Sequence, residues 1–462
     1  MTLIKSISGI RGTIGGETGE NLTPIDAVKF AAAYGTFIKN KNQDKEKITI
    51  VLGRDARISG KMISGLVSDT LVGLGIDVIN LGLSTTPTVE VAVPIEKADG
   101  GIILTASHNP KQWNALKLLN EKGEFLNGED GKQILAIAEN DDYNFADVDS
   151  LGTITENNEY IAKHIQEVLK LELVDVDAIK KANFKVVVDG VNSTGGIAIP
   201  ALLKELNVAC VELYCDPNGY FPHNPEPLKE HLTDISELVV KEKADLGIVV
   251  DPDVDRLALI CEDGSMFGEE YTLVACADYV LGELKGGNTV SNLSSSRALR
   301  DVTEAHGGKY TASAVGEVNV VQMMKDTNTV IGGEGNGGII YPESHYGRDS
   351  LVGVALFLSH LAKKKVSCKA LRESYPSYFM SKNKIQLTPQ IDVDNILATM
   401  ADKYKNEDVN TIDGVKIDFA EEWIHLRKSN TEPIIRIYTE AKSQEKADDL
   451  AERFISEIKE II

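Results

Sequence analysis

The chain of 462 residues has no apolar run near the eighteen residues that would mark a membrane span, and its start, MTLIKSISGIRG, lacks the apolar core of a signal peptide. We therefore expect a cytoplasmic protein with no membrane partner. Cysteine is scarce. Cys210, Cys215, Cys261, Cys276 and Cys368 form no CxxC pair, and none has a histidine at zinc-finger spacing, which excludes a thiolate metal module and leaves ordinary reduced thiols. Positive charge is also in the minority. With 48 Lys and Arg against 70 Asp and Glu, the net charge of -22 argues against a nucleic-acid or anionic-membrane surface.

Against that acidic background the few cations are informative. Arg11, Arg54, Arg57, Lys111, Lys117, Arg256, Arg348 and Arg427 all fall in or beside segments rich in Gly, Ser or Asn. That is the distribution of a cationic cleft in an acidic shell, suited to a small phosphorylated substrate.

The length exceeds one ordinary core and implies several domains. SGIRG reads as a glycine-flanked turn carrying Arg11, and Thr23-Pro24 as an N-cap with proline at the first helical position. Ile48 to Leu52 reads as a strand running into GRDARISG, where Arg54 and Arg57 stand beside a helix start, a setting for an anion. Strand, polar turn and helix alternate through residue 150 and recur at FKVVVDGVNSTGG and NTVSNLSSSRAL. Glu373 to Ser381 reads as a linker. Beyond it come a helix, a hairpin around Asp413-Gly414, a strand and a last amphipathic helix. The fold class expected is α/β: three related doubly wound α/β domains over 1–150, 151–255 and 256–370, plus a smaller C-terminal α+β domain over 371–462.

Four segments carry candidate chemistry. In GGIILTASHNPKQWNALK, the run Ile102 to Leu104 reads as a buried strand, and Ser107, His108 and Lys117 follow where ligands sit in an open α/β sheet. Ser107 would carry a phosphoryl group, and His108 or Lys117 would move protons. Taken alone, Ser107 and Asn109 could simply satisfy backbone groups in a turn closed by Pro110. In VVDPDVDRLAL, Asp251, Asp253 and Asp255 cannot crowd together cheaply without a cation, and hard oxygen ligands point to one Mg²⁺. An EF-hand loop is a rival, since Glu262 stands twelfth, but Arg256 occupies the sixth position where glycine is needed. An aspartyl-phosphate enzyme with Asp251 as nucleophile is another. IGGEGNGGIIY offers Glu334 and Asn336 to sugar hydroxyls, and RKSNTEP offers Arg427, Ser429, Asn430 and Thr431 to a phosphate.

Together, TASHNP with its trailing lysine, DPDVDR, GEGNGG and RKSNTEP resemble the α-D-phosphohexomutase family in kind and order. The resemblance implies four domains around a central cleft and a transfer between O6 and O1 of a hexose phosphate by way of a bisphosphate. It implies Ser107 as the phosphoserine, joined by Asp251, Asp253 and Asp255 around Mg²⁺. His108 and Lys117 would lie beside the reacting oxygen, with Arg11 facing the phosphoserine. Arg256, Glu334 and Asn336 would contact substrate, and Arg427, Ser429, Asn430 and Thr431 would grip its nonreacting phosphate. A sugar bisphosphate is expected as activator, and the assembly as monomer or homodimer. The sequence departs from the family pattern at Asn336, Gly338 and Ala115, which stand where serine, histidine and glycine are usual. Glu317 and Asn319 replace a basic residue, and Glu317 suits the 2-ammonium group of glucosamine phosphate.

Overall fold

The computed structural model describes residues 2–6, 9–386, 391–428 and 434–461. Its strands form four sheets, and three of them share one plan. In the first, the central strand Thr49–Arg54 pairs in parallel with Asp77–Leu83 on one side and Gly100–Leu104 on the other. Gly100–Leu104 then turns back antiparallel into Trp113–Leu119. The second sheet repeats this with Lys185–Asp189 at the centre, Ala209–Leu213 and Leu246–Val250 in parallel, and Leu257–Cys261 returning antiparallel. The third repeats it with Thr289–Asn292, Tyr310–Ser313, Ile331–Glu334 and Gly338–Ile340. Helices make the crossovers between the parallel strands, as the strand-helix alternation requires.

This plan positions the site. In each sheet the loop joining the third strand to its antiparallel return leaves the carboxyl end of a wholly buried strand. Those loops are residues 105–112, 251–256 and 335–337, so the serine, aspartate and glycine motifs occupy equivalent places in three repeats. The fourth sheet is antiparallel, in the order Phe379–Gln386, Ile434–Ala441, Trp423–Lys428, Val415–Asp418, Asp408–Asn410, and is backed by the helices Val393–Lys403 and Gln444–Ile461.

Several expectations need correction. Arg11 does not sit in a turn: Gly9–Thr13 is a strand paired with Trp113–Leu119, which sets Arg11 opposite Ala115. The segment read as a linker holds the end of helix Cys368–Glu373 and the start of strand Phe379–Gln386. Ile154–Glu156 pairs with Asp77–Leu83, and Leu257–Cys261 completes the second sheet, so we place the first two boundaries beyond 156 and 261 instead of at 150 and 255. The second and third units also share one core, in which Leu257, Phe267, Leu351 and Phe357 pack with Val186 and Ile199. Among the described residues, no helix is long and apolar enough to cross a membrane.

Candidate active site

The loop that carries Ser107 is held by its neighbours. Arg57 is fully buried and a guanidinium has five N–H donors. Nε donates to Asp55 Oδ2 at 3.0 Å, Nη1 to the carbonyls of Pro110 and Trp113 at 2.7 and 3.1 Å, and Nη2 to those of Ser107 and Asn109. Asp55 in turn accepts from Thr105 Oγ1 at 2.7 Å, which accepts from the Ser107 amide at 2.9 Å. Arg57 is thus consumed in shaping the loop, and does not stand free for an anion as the sequence suggested. Held this way, Ser107 adopts φ +47°, a left-handed conformation that costs a non-glycine residue roughly 1–2 kcal/mol.

That conformation aims the serine at the second sheet. Ser107 Oγ donates to Asp251 Oδ2 at 2.5 Å. Asp251 Oδ1 accepts the amides of Asp255 and Arg256 at 3.2 and 3.1 Å, which folds DPDVDR back on itself around Val254 at φ +65°. Asp251, Asp253 and Asp255 are all fully buried. Burial, and then the charges of Asp253 and Asp255, hold the Asp251 carboxyl well above its ordinary value. Thr86 Oγ1 donates to Asp253 Oδ2 at 2.6 Å, and Lys117 Nζ reaches Asp253 and Asp255 at 2.6 and 3.3 Å. Although burial works against its charge, these two carboxylates keep Lys117 an ammonium. Asp253 Oδ1 and Asp255 Oδ1 are buried without a hydrogen-bond partner. The three side chains bring carboxylate oxygens within 4.8 Å of one another, a donor set that fits a hard divalent cation.

Beside this trio lies a positive wall. His108 Nδ1 is 3.4 Å from Ser107 Oγ, and burial, followed by Arg256, pushes its pKa down to about 2, so the ring is neutral. Arg11 Nη1 donates to Asn109 Oδ1 at 3.3 Å; burial and then the charge of Arg256 lower its pKa. Arg11 and Arg256 each raise the positive potential beside the serine loop, which makes a place for an anion.

The third sheet joins through Arg348. Its Nη2 donates to Asp255 Oδ2 at 2.7 Å, Nη1 to Glu334 Oε2 at 3.0 Å and Nε to Glu317 Oε2 at 3.1 Å. Glu334 also accepts from Asn292 Nδ2 at 2.9 Å. IGGEGNGGIIY is a hairpin: Asn336 sits in its turn, accepting the Gly338 amide at 3.2 Å. The Leu257 amide donates to the Gly337 carbonyl at 3.0 Å, which ties the aspartate loop to this turn. Gly337 has φ +85°, and a Cβ there would lie 2.2 Å from the Leu257 carbonyl oxygen, so only glycine fits.

The structure therefore brings together Ser107, His108, Lys117, Asp251, Asp253, Asp255, Arg256, Arg11 and Glu334. Arg427 is ion-paired through Nε with Asp413 Oδ2 at 2.9 Å, and the same oxygen accepts the Val315 amide at 3.0 Å, which ties the fourth unit to the third. Ser429, Asn430 and Thr431 lie outside the described residues. Sequence reasoning missed the roles of Asp55, Thr86, Thr105 and Arg348. Thr105 and Asp55 lay within the segments TASHNP and GRDARISG already singled out, and Arg348 had left a signal as a cation in a turn-rich segment.

Models of phosphoglucomutase/phosphomannomutase domains match nearly the whole chain: alpha/beta/alpha domain I over residues 3–145, domain II over 159–264, domain III over 268–378 and the C-terminal domain over 388–457. The chain is 36% identical over 456 residues to a phosphoglucomutase/phosphomannomutase of Thermococcus kodakarensis, covering 98% of each chain. It is 30% identical over 459 residues to a probable phosphoglucosamine mutase of Methanopyrus kandleri, covering 98% of this chain and 97% of that one. Its fold matches a crystal structure of a phosphoglucomutase/phosphomannomutase family protein from Burkholderia thailandensis with a TM-score of 0.85, at 24% identity and over 99% and 97% of the two chains.

Proposed function

This chain belongs to the phosphoglucomutase/phosphomannomutase family, and from that premise we propose that it moves a phosphoryl group between O6 and O1 of a hexose phosphate through Ser107. The observation that carries the reading is the Ser107 hydroxyl, 2.5 Å from Asp251 at the mouth of a buried trio of aspartates. Phosphorylated Ser107 donates to a sugar hydroxyl: the P–Oγ bond breaks, a P–O bond to the sugar forms, and the hydroxyl proton must leave. His108 is placed to take it: burial and the nearby arginines keep the ring neutral, and the charge of a bound phosphate offsets those arginines and makes the ring basic enough to accept the proton. Lys117, kept as an ammonium by Asp253 and Asp255, supplies positive charge beside the trio that Ser107 faces. Asp251, Asp253 and Asp255 with the Ser107 phosphoryl oxygen would hold one Mg²⁺, which when bound neutralises charge on the transferring group.

The resulting bisphosphate must turn over before its other phosphate can return to the same serine. Arg11 and Arg256 hold whichever phosphate faces Ser107, and Arg427 in the fourth unit holds the far one, releasing it for the turn. Glu334 and Asn336 orient the sugar between them. A bisphosphate lost from the cleft leaves Ser107 bare, so a trace of sugar bisphosphate acts as activator.

The sugar we favour is glucosamine phosphate. Glu317 lines a cavity of about 110 Å³ with Asn120, Glu124, Phe125, Lys325 and Tyr346. Burial first, then Asp255 and Glu334, push its carboxyl up despite Arg348. A 2-ammonium group entering there would relieve that crowding of carboxylates, which a neutral hydroxyl would not. The relatives' names include both phosphoglucosamine mutase and phosphoglucomutase/phosphomannomutase. Initial rates on glucosamine, glucose and mannose phosphates, each with a trace of the matching bisphosphate, test the choice; a preference for glucose or mannose would overturn it. Acid-stable phosphate mapped to Ser107 by peptide mass would support the carrier, and acid-labile phosphate on Asp251 would refute it.

A further inference from the structure

Behind the cleft, three chain segments meet in a buried cluster that the transfer chemistry does not use. Helix Thr86–Ile95 brings Thr88 and Glu90, helix Tyr160–Leu169 brings His164, and the turn before helix Ser350–Lys364 brings His345 and Asp349. His164 Nε2 lies 2.9 Å, and His345 Nε2 3.2 Å, from the same oxygen, Asp349 Oδ2. The two rings stand at 76° with centroids 6.2 Å apart. Asp349 Oδ1 is occupied by the amides of Leu351 and Val352, which fixes the carboxylate with Oδ2 turned to the imidazoles.

We propose that His164 Nε2, His345 Nε2 and Asp349 Oδ2 form a second metal site, selective for Zn²⁺ or a similar transition ion and separate from the aspartate trio. Donors at about 2.0–2.1 Å from a tetrahedral zinc lie roughly 3.3 Å apart, close to the spacings observed here. Two imidazoles and one carboxylate suit zinc better than magnesium, which prefers all-oxygen shells.

The second nitrogens of the rings give an independent indication. His164 Nδ1 is 3.0 Å from Thr88 Oγ1, and His345 Nδ1 is 3.4 Å from Glu90 Oε2. These are the outer partners that orient metal-bound histidines. Glu90 is 1% exposed, and both its carboxylate oxygens and His345 Nδ1 lack hydrogen-bond partners. A proton belongs between His345 Nδ1 and Glu90, whose carboxyl burial pushes up. With a metal on Nε2, the ring proton must sit on Nδ1, and Glu90 gains the donor it lacks. The site would pin the first and third units to helix Tyr160–Leu169, and it adjoins Arg348, the residue that bridges Asp255 and Glu334.

The test uses the full-length enzyme expressed with zinc supplementation and dialysed against magnesium buffer. Elemental analysis should find about one zinc per chain, and Co²⁺ added to the metal-stripped protein should give the visible d–d absorption of a tetrahedral site. His164→Gln and His345→Gln should each lose the zinc and the cobalt spectrum, while Asp253→Asn should keep both. Far-UV circular dichroism and melting check that the variants fold. If either does not, the cobalt titration of the unaltered chain still decides. Absence of both zinc and a cobalt spectrum would overturn the proposal and leave a proton held between His345 and Glu90. Zinc retained by both folded histidine variants would overturn it equally.

Discussion

Arg348 Nη2 lies 2.7 Å from Asp255 Oδ2, and through this contact the aspartate loop of the second sheet is joined to the glycine hairpin of the third. The same guanidinium holds Glu334 and Glu317, so three carboxylates meet at one cation, Asp255 having Lys117 as a second. Arg348→Met should take the cation from Glu317 and Glu334 and leave Asp255 with Lys117 alone. A broken buried pair costs about 3–5 kcal/mol, so we expect a large fall in melting temperature and loss of transfer activity. Arg348→Lys, a point charge without the planar fork, should fall between methionine and the unaltered chain. Thermal melts and single-turnover assays on the pair check this; an unshifted melt for Arg348→Met would show that the carboxylates do not need it.

Ser107→Ala and Ser107→Gly should both abolish turnover, because neither can carry phosphate. They should differ in stability. Alanine inherits the left-handed φ of +47° and its strain, whereas glycine adopts it freely. Setting that relief against glycine's extra entropy in the unfolded chain, Ser107→Gly should be the more stable by up to about 1 kcal/mol. Denaturant titrations resolve that difference, and the reverse order would mean that the loop relaxes once the hydroxyl is gone.

Much of this arrangement is legible in the chain itself. Local chemistry marks the helix caps at Thr23-Pro24 and the buried strand ahead of Ser107, and the sequence order of the motifs points to the family. What local reasoning misreads is whatever depends on a distant partner. Gly9–Thr13 reads as a turn because its glycines are visible and its pairing with Trp113–Leu119, a hundred residues on, is not. Arg57 reads as an anion site because nothing nearby shows that its acceptors are carbonyls at 107, 109, 110 and 113. The equivalence of the three motif loops is likewise a property of strand order, which spacing along the chain does not display.

Removing divalent cations should expose the strain in the aspartate trio. Burial and like charges hold Asp251 well above its ordinary pKa, so without a cation the site is destabilising. Asp251→Asn, which can still accept the amides of Asp255 and Arg256, should therefore melt at or above the unaltered chain in EDTA. On adding Mg²⁺ the order should reverse. A ligand that binds only the folded state adds about 1.4 kcal/mol for each tenfold rise above its Kd, a gain the variant should lack. Melting curves across a magnesium series check both arms, and parallel responses would mean that Asp251 is not a ligand.

Glu270 offers a pH signature away from the reacting groups. Loss of hydration around its carboxyl, only partly offset by Lys382 and the Ser296 amide, pushes its pKa from 4.5 up to about 8. Between those values the folded chain keeps a proton that the unfolded chain releases. Stability contributed by this group is thus complete below pH 4.5, declines as pH rises toward 8, and is level beyond. Glu270→Gln removes the titration: its melting temperature should match the unaltered chain near the lower limit and exceed it near the upper one. Equal pH slopes for the two proteins would show that Glu270 ionises normally.

Arg57 allows the two readings of one residue to be separated kinetically. If it bound an anion, Arg57→Lys would raise KM and leave the fold alone. The structure instead gives every one of its donors to Asp55 or to backbone carbonyls of the serine loop. Lysine has three donors and no fork, so carbonyls around Ser107 would be left buried and unpaired, at about 1–3 kcal/mol each. The loop that holds Ser107 in its left-handed conformation would loosen, and the hydroxyl would no longer be fixed against Asp251. The substrate contacts proposed for Arg11 and Arg256 would be untouched. We therefore expect a lowered melting temperature and a kcat reduced by roughly tenfold or more, since each 1.4 kcal/mol of lost positioning is a factor of ten, with KM nearly unchanged. Steady-state kinetics below the melting transition decide, and a KM effect with normal kcat would restore the anion reading.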